Sequence, residues 1–356
     1  MNILFFVGRV TYGGGEKVRN WLANSLINSG QTVYYVMPQN EHDYTEELNK
    51  VHLGKVQIIE YDKSLKKIKP ISYCRKLIKI YRTNGIDVLI YFGGSLVEQI
   101  VARHCGVKVI LSERFYNGFR PWPSRILKQI QYRIADGYVF QTLEASKIYG
   151  QRAKKRSVII PNPIIDDLPL PIYDNLRKEI VTAGRLTLQK DHRTLIDAFA
   201  EFHHKHSEYR LIIYGSGPLK EELEQRISSL KLNNSAVIVS GKTNICELER
   251  GAELFVLSSL AEGMPNALIE AMSIGLQCIS TDCPIYGSRM LIKNEENGYL
   301  VPVKDARAMC DAMCYAVENP VKADEIRHNA VRIRETLNEV KIAGRWKTYI
   351  EQVRKR

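Results

Sequence analysis

Short apolar runs alternate with amphipathic stretches along this chain, and they do so twice over. An apolar run of five or six residues between turn signals suits a strand buried on both faces, and intervening helical sequence makes neighbouring strands parallel. The first half offers such runs at 2–7, 32–37, 56–61, 87–92, 107–112, 137–141 and 157–161. The second half offers them at 180–184, 210–214, 236–240, 254–257 and 277–281, with helices expected near 192–206, 219–230 and 266–274. Helical sequence dominates from Ala306 to the end. The expected fold class is α/β, with two doubly wound Rossmann-like domains. Asn162-Pro163 and the stretch Asp166 to Tyr173, with Pro169 and Pro171, form the best candidate linker. Boundaries are expected at 1–162, 163–175, 176–336 and 337–356.

A length of 356 residues fits two domains, each large enough for its own core. With 45% hydrophobic and 25% charged residues, disorder is not expected. No apolar run approaches the roughly 18 residues that span a bilayer. The opening NILFFVG is short and lacks a basic lead-in, so export is not expected either. Seven scattered cysteines without a CxxC pair point to a reducing cytoplasm. Cys310 and Cys314, one helical turn apart, read as buried thiols ahead of a shared metal, and His203, His204 and His206 read as a solvated helix tip.

The net charge of +12 concentrates in Lys63 to Arg82, where Ile71, Leu77 and Ile78 fall partly on one side of a helix begun by Pro70. Two readings stay open: a face lying on an anionic membrane leaflet, and an ordinary solvated helix. Arg120-Pro121-Trp122 and Arg125 to Lys128 would add to the first. Nucleic acid is not an expected partner, because no aromatic stacking platform accompanies the charge.

Chemistry gathers in SSLAEGMPNALIEAMSIG, Ser258 to Gly275. Glu262 precedes a turn through Gly263 and Met264. Pro265 suits the first position of a helix through Asn266, and Glu270 lies within that helix. A helix start with its free N–H groups seats a phosphate, so Glu262 would face the reacting end of a phosphorylated ligand while Glu270 grips a hydroxyl-bearing part. That combination points to a nucleotide sugar. Arg185 follows a strand and Lys190 precedes a helix that Asp191 can cap, and two such cations suit a diphosphate without a divalent metal. Gly215 and Gly217 end another strand, with Pro218 placed to start the next helix, and Gly241-Lys242-Thr243-Asn244 end a third. Near the N-terminus, Gly14, Gly15 and Glu16 link the first strand to its helix. No DxD pair is found, since Asp166-Asp167 lie in the linker.

The segment from Glu262 to Glu270 resembles the signature of retaining glycosyltransferases of family four: a glutamate, any seven residues, a glutamate. The resemblance runs from Asn2 to the C-terminus and is densest from Gly184 to Pro302, taking in GRLTLQKD and NGYLVP. It implies the GT-B fold, two Rossmann-like domains facing across a cleft, with the last helix and its Trp346 returning to the first domain. It also implies that Arg185, Lys190 and Glu262 act at the reacting centre. Donor binding would fall to Gly14, Gly15, Gly215, Gly217, Gly241, Lys242, Thr243, Gly263, Met264, Pro265, Asn266 and Glu270. On the acceptor side stand Glu16 and Arg114; many relatives carry a histidine in the second place, and arginine stands there in this chain as in a bacterial surface-polysaccharide branch. Arg114 could grip a phosphate-bearing acceptor or pair with Glu113, and both readings stay open. Departures are Gly15 for alanine, Ser216 for aspartate, and Ser288 and Met290 for proline and glutamate.

The activity so implied is metal-independent, retaining transfer of a hexosyl unit from a nucleoside diphosphate sugar, a UDP-hexose or UDP-N-acetylhexosamine. The acceptor would be a glycan on a lipid carrier in bacterial capsule or exopolysaccharide assembly. No cofactor is expected. The protein would be cytoplasmic, or peripheral at the inner face of the plasma membrane. Competing readings are a nucleotide-sugar epimerase of the same fold and a non-catalytic sugar-nucleotide binder. A nicotinamide-dependent oxidoreductase is disfavoured because GRVTYGGG lacks the GxGxxG spacing.

Overall fold

The computed structural model describes residues 1–7, 14–39, 56–62, 69–93, 96–114, 122–165, 167–241 and 244–356, with backbone alone at 122–125. Lys242, Thr243, Arg120, Pro121 and the start of the basic segment, 63–68, lie outside the described residues or side chains. The chain divides into two compact units, Met1–Ile165 with Glu339–Arg356, and Asp166–Asn338.

The first unit runs β1 (Asn2–Phe6), α1 (Gly14–Asn28), β2 (Thr32–Pro38), β3 (Gln57–Tyr61), α2 (Pro70–Thr83), β4 (Val88–Tyr91), α3 (Leu96–His104), β5 (Lys108–Glu113), α4 (Trp122–Ile134), β6 (Gly137–Phe140), α5 (Leu143–Lys147), α6 (Gly150–Lys155) and β7 (Ser157–Ile159). Its seven strands lie in the order β3-β2-β1-β4-β5-β6-β7, all paired in parallel. Ile3, Phe5, Tyr35, Ile90 and Val139 are fully buried at its centre, as the continuous apolar runs demand.

The second unit runs β8 (Arg177–Ala183), a 3-10 turn (Leu188–Lys190), α7 (His192–His203), β9 (Arg210–Tyr214), α8 (Lys220–Ser229), β10 (Ala236–Val239), α9 (Ile245–Glu249), β11 (Ala252–Leu257), α10 (Asn266–Ser273), β12 (Gln277–Thr281), α11 (Gly287–Leu291), β13 (Tyr299–Val301), α12 (Ala306–Glu318), α13 (Pro320–Val331) and α14 (Ile333–Thr336). Its order is β10-β9-β8-β11-β12-β13, again parallel. Phe199, Phe202, Met309 and Met313 close one core with Ile213, Val256 and Ile279.

A final helix, α15 (Glu339–Lys355), belongs to the first unit. Trp346 is fully buried there and stacks on Phe92 at 6.2 Å. Gly137 is required by this packing, because a Cβ would come within 2.6 Å of Val353 and 2.8 Å of the Tyr349 hydroxyl.

Several local expectations change. The proline-rich stretch read as a linker is held on the second unit: Arg334 donates to the Pro169 carbonyl at 2.6 Å, Pro171 lies against Gly275, and Tyr173 stacks on His328. Strand β13 lies outside the expected strands, because YLV is too short to register as an apolar run. Helix α7 stops at His203, where the Lys205 and His206 amides turn back to the Phe202 carbonyl. Pro265 is the N-cap of α10, in extended conformation, and the helix begins one residue later at Asn266. Pro218 precedes α8, whose cap is Leu219.

Candidate functional site

In the second unit the chain steps outward from β8 to β9 and β10, then returns to β11 beside β8 and steps the other way. The loops leaving β8 and β11 therefore diverge, and in open parallel sheets ligands bind outside the carboxyl ends of strands at this switch point. Those two loops carry Arg185 with Lys190, and Glu262.

The loops are stitched together. Lys190 Nζ lies 2.6 Å from Glu262 Oε1, with both side chains largely buried. Ser259 Oγ donates to the same carboxylate oxygen at 2.7 Å, and Ser258 Oγ donates to the Lys190 carbonyl at 2.9 Å. The Gln189 amide side chain donates to the Ala261 carbonyl at 2.7 Å, and the Leu260 amide to the Gln189 carbonyl at 2.8 Å. Charge-assisted bonds in a partly desolvated place hold geometry well. Ser259 and Gln189 were not singled out in the sequence, since nothing in their type marks them as scaffold.

Titratable neighbours are held neutral. Burial, with Lys190 second, pushes the His192 imidazole down to about 4. Burial, then the Glu262 charge, pushes the Cys283 thiol up to about 12. Asp191 occupies the N-cap of α7 but in left-handed conformation without a side-chain cap bond, and its carboxylate instead accepts from the Thr194 hydroxyl at 2.7 Å. Arg185 is exposed and makes no ion pair among the described residues.

The glycines after β9 serve the scaffold. A Cβ on Gly215 would lie 2.0 Å from the Gly184 carbonyl oxygen, and one on Gly217 would lie 2.5 Å from that of Leu186. What meets their Cβ positions is the β8 loop. The Leu186 amide seals the contact by donating to the Ser216 carbonyl at 2.9 Å. Gly241 takes a φ of 71°, and Ser240 Oγ donates to the Gly215 carbonyl at 2.7 Å, so the β9 and β10 loops are joined as well.

Gly263, Met264 and Pro265 are buried, and a Cβ on Gly287 would fall 1.9 Å from the Gly263 carbonyl oxygen, so the turn before α10 rests directly on the start of α11. The two residues before Gly287, Ile285 and Tyr286, are both left-handed (φ 64° and 55°), a rare conformation for a β-branched or bulky side chain. Asn266 opens α10, and Glu270 stands half-buried within it, 3.9 Å from the Cys246 thiol. Glu249 on α9 carries no marker in the sequence. Burial, and then Glu270, raise its carboxyl well above the ordinary range.

In the first unit Gly14, Gly15 and Glu16 are already the opening turn of α1, following β1 at that sheet's own switch point beside β4. Glu16 is half-buried there. Arg114 is buried between the rings of Phe92 and Trp346, at 5.1 and 5.7 Å. Its Nε donates to Ser112 at 2.9 Å and its Nη1 to Asn162, while Nη2 meets no hydrogen-bond partner among the described residues. Burial pushes the guanidinium down to about 9. Glu113 faces elsewhere, accepting from Tyr132 at 2.7 Å and pairing with Lys128 at 2.9 Å, so the Arg114–Glu113 salt bridge is not formed.

Among the described residues, one set of three side chains could hold a metal: His206, Cys314 and Glu318, their ligand atoms within 4.8 Å of one another. His206 Nε2 lies 3.1 Å from the Glu318 carboxylate, so the helix tip read as solvated is packed against α12. Burial raises the Cys314 thiol, which keeps it protonated. Cys310 and Cys314 are both buried on α12.

Two doubly wound parallel sheets define the class, the GT-B fold. Anabaena HepE, solved in complex with UDP and glucose, superposes with a TM-score of 0.83 at 17% identity, over 99% of this chain and 100% of that one. Residues 173–332 match the family of glycosyl transferases group 1, and the chain is a glycosyltransferase carrying a domain of that family. An uncharacterized glycosyltransferase of Methanocaldococcus jannaschii is 30% identical over 67% of this chain, which spans 58% of that protein. An α-1,4-N-acetyl-D-galactosaminyltransferase of Campylobacter jejuni, named for an undecaprenol-diphosphate-linked substrate, is 26% identical over 99% of both chains.

Proposed function

We propose that this protein transfers a hexosyl unit from a UDP-hexose or UDP-N-acetylhexosamine to a lipid-linked glycan, with retained anomeric configuration and without a metal, in bacterial surface polysaccharide assembly. The observation that carries the reading is the Lys190–Glu262 pair where the β8 and β11 loops meet at the switch point. A cation and a carboxylate held there by neutral scaffold groups suit a sugar diphosphate. The cation meets the departing phosphate and the carboxylate meets sugar hydroxyls.

In this reading Arg185 and Lys190 neutralise the diphosphate, with the Gly263 and Met264 amides at the mouth of α10 beside them. Glu262 orients the sugar and Glu270 holds the ribose. The acceptor hydroxyl forms its bond to the anomeric carbon on the face from which the phosphate oxygen departs, and that oxygen takes the hydroxyl proton. Arg114, a buried cation without a carboxylate partner among the described residues, and Glu16 serve the acceptor side. Support for the donor comes from HepE with UDP and glucose. Support for the acceptor comes from the name of the Campylobacter enzyme and from an amylovoran biosynthesis glycosyltransferase of Erwinia amylovora, 26% identical over 81% of this chain.

The test is incubation of the protein with a panel of UDP-sugars, with and without an undecaprenyl-diphosphate-linked saccharide. Acceptor-dependent release of UDP, with an α-linked product by NMR, is expected. A rearranged sugar nucleotide formed without acceptor would overturn the reading in favour of epimerisation.

A further inference from the structure

Helices α2, α3 and α4 of the first unit lie side by side, with α3 packed against both of the others. Their inner faces behave as a core should: Tyr73, Leu77 and Ile80 of α2 and Val101 of α3 are buried. Their outer faces are unusual. On α2 the exposed stripe is Ile71, Arg75, Lys79 and Arg82, spaced three or four residues apart. On α3 it includes Val97 and Ile100, and on α4 Ile126, Leu127, Ile130 and Arg133. The chain has eighteen exposed large hydrophobic residues among those described, and six sit on these three helices, about three times their share by length.

Exposed acid is missing from these three helices among the described residues. Helices α2 and α4 contain no Asp or Glu, and the one acid of α3, Glu98, is 1% exposed and bound by the hydroxyls of Tyr73 and Tyr91. Arg103 is engaged with Asp136, but Arg75, Lys79, Arg82 and Arg133 make no ion pair among the described residues. An ordinary solvated helix face interleaves both signs. A protein-docking patch would carry aromatic anchors at its centre. Among the described residues every exposed apolar side chain of these helices is aliphatic, set among cations that make no ion pair there. An anionic bilayer surface fits that chemistry, aliphatic side chains entering between lipids while cations meet phosphates.

We propose that the α2–α3–α4 face docks this protein on an anionic lipid leaflet. The face differs from the sequence expectation in composition: Leu77 turns inward, Ile71 outward, α3 supplies the middle row, and Lys128 is drawn in to Glu113 at 12% exposure. The proposal stands without the transfer reaction, because vesicle binding reads the surface directly.

The experiment is co-sedimentation of the full chain with vesicles of phosphatidylcholine alone or mixed with phosphatidylglycerol, at low and high salt. Binding is expected only with phosphatidylglycerol and is expected to fall with salt. The triple variant Arg75→Glu, Lys79→Glu, Arg82→Glu is expected to lose at least about tenfold in partition. The pair Ile100→Ser, Leu127→Ser gives a second, charge-neutral variant, also expected to partition less, with an unchanged melting curve. Equal binding to both vesicle types, or wild-type partition by both variants, would overturn the proposal. So would a dimer that the Ser pair dissociates while no vesicle binding is seen.

Discussion

Lys190 Nζ sits 2.6 Å from Glu262 Oε1, and Ser259 donates to the same oxygen. The cation proposed for the diphosphate and the carboxylate proposed for the sugar are thus each other's partner, held in place before any donor arrives. A bound diphosphate would draw Lys190 away from Glu262 and release the carboxylate toward sugar hydroxyls. Lys190→Ala then removes both the counter-charge and the placement of Glu262, and kcat should fall about 10²- to 10³-fold, a barrier cost of about 2 to 4 kcal/mol. Exposed Arg185 has no such pairing to break, so Arg185→Ala should lose UDP affinity and turnover while leaving the urea midpoint unchanged. Steady-state kinetics with calorimetric UDP binding separates the two residues.

Glu262→Gln tests the carboxylate itself. The amide keeps shape and can still accept from Ser259, but it no longer pairs with Lys190. Turnover should drop by at least about tenfold, since the lost bond is charge-assisted. UDP binding should be retained. Unchanged turnover would remove Glu262 from the reacting centre.

His192 supplies a pH prediction whose sign is fixed. Its folded pKa, about 4, lies below the ordinary 6.5 because burial, reinforced by Lys190, disfavours the charged ring. The unfolded chain therefore binds more protons between those values, and the stabilisation is complete above about pH 6.5 and lost as pH falls toward 4. For a ring 3% exposed the full swing is about 3 kcal/mol. Urea midpoints at pH 7 and pH 5 should differ in the wild type, and the difference should shrink in His192→Leu.

Metal independence of transfer is an expectation of the two-cation reading, and chelation tests it. After dialysis against EDTA, the rate with a UDP-sugar should change by less than about twofold on adding magnesium, because Arg185 and Lys190 supply the charge that a metal would otherwise bring. A large magnesium stimulation would overturn that reading.

Two sheets were legible in the sequence because parallel strands buried on both faces leave unbroken apolar runs, as in Ile3 to Phe6 and Phe255 to Leu257. Lys190 and Glu262 were legible as charges beside strand ends. Their mutual contact was not, because 72 residues separate them and only the return of β11 to β8 brings them together. Glu249 was invisible for the same reason. An acid on a five-residue helix carries no sign of burial until α9 is seen against α10. Arg114 was legible as a special residue, but its choice of Ser112 and Asn162 over Glu113 follows from strand alternation, which sends neighbouring side chains to opposite faces of β5.

The glycines after β9 yield the last prediction. At Gly215 the site of the missing Cβ is filled by the Gly184 carbonyl at 2.0 Å. Backbone cannot yield as a flexible side-chain tip can, so Gly215→Ala must push the β8 loop, with Arg185 and Lys190 on it, away from the β9 loop. Overpacking of this kind costs about 1 to 3 kcal/mol. The urea midpoint should fall accordingly, and UDP affinity should fall with it, because the displaced loop carries the diphosphate cations. Gly241→Ala has a different cause and a different outcome. No atom of the described residues lies within 4 Å of its Cβ position, and its φ of 71° makes the cost one of backbone strain, about 1 kcal/mol. That variant should lose stability without displacing Lys190, so the ratio of lost UDP affinity to lost stability should be larger for Gly215→Ala. Equal ratios would mean that the β8 and β9 loops are not coupled through this contact.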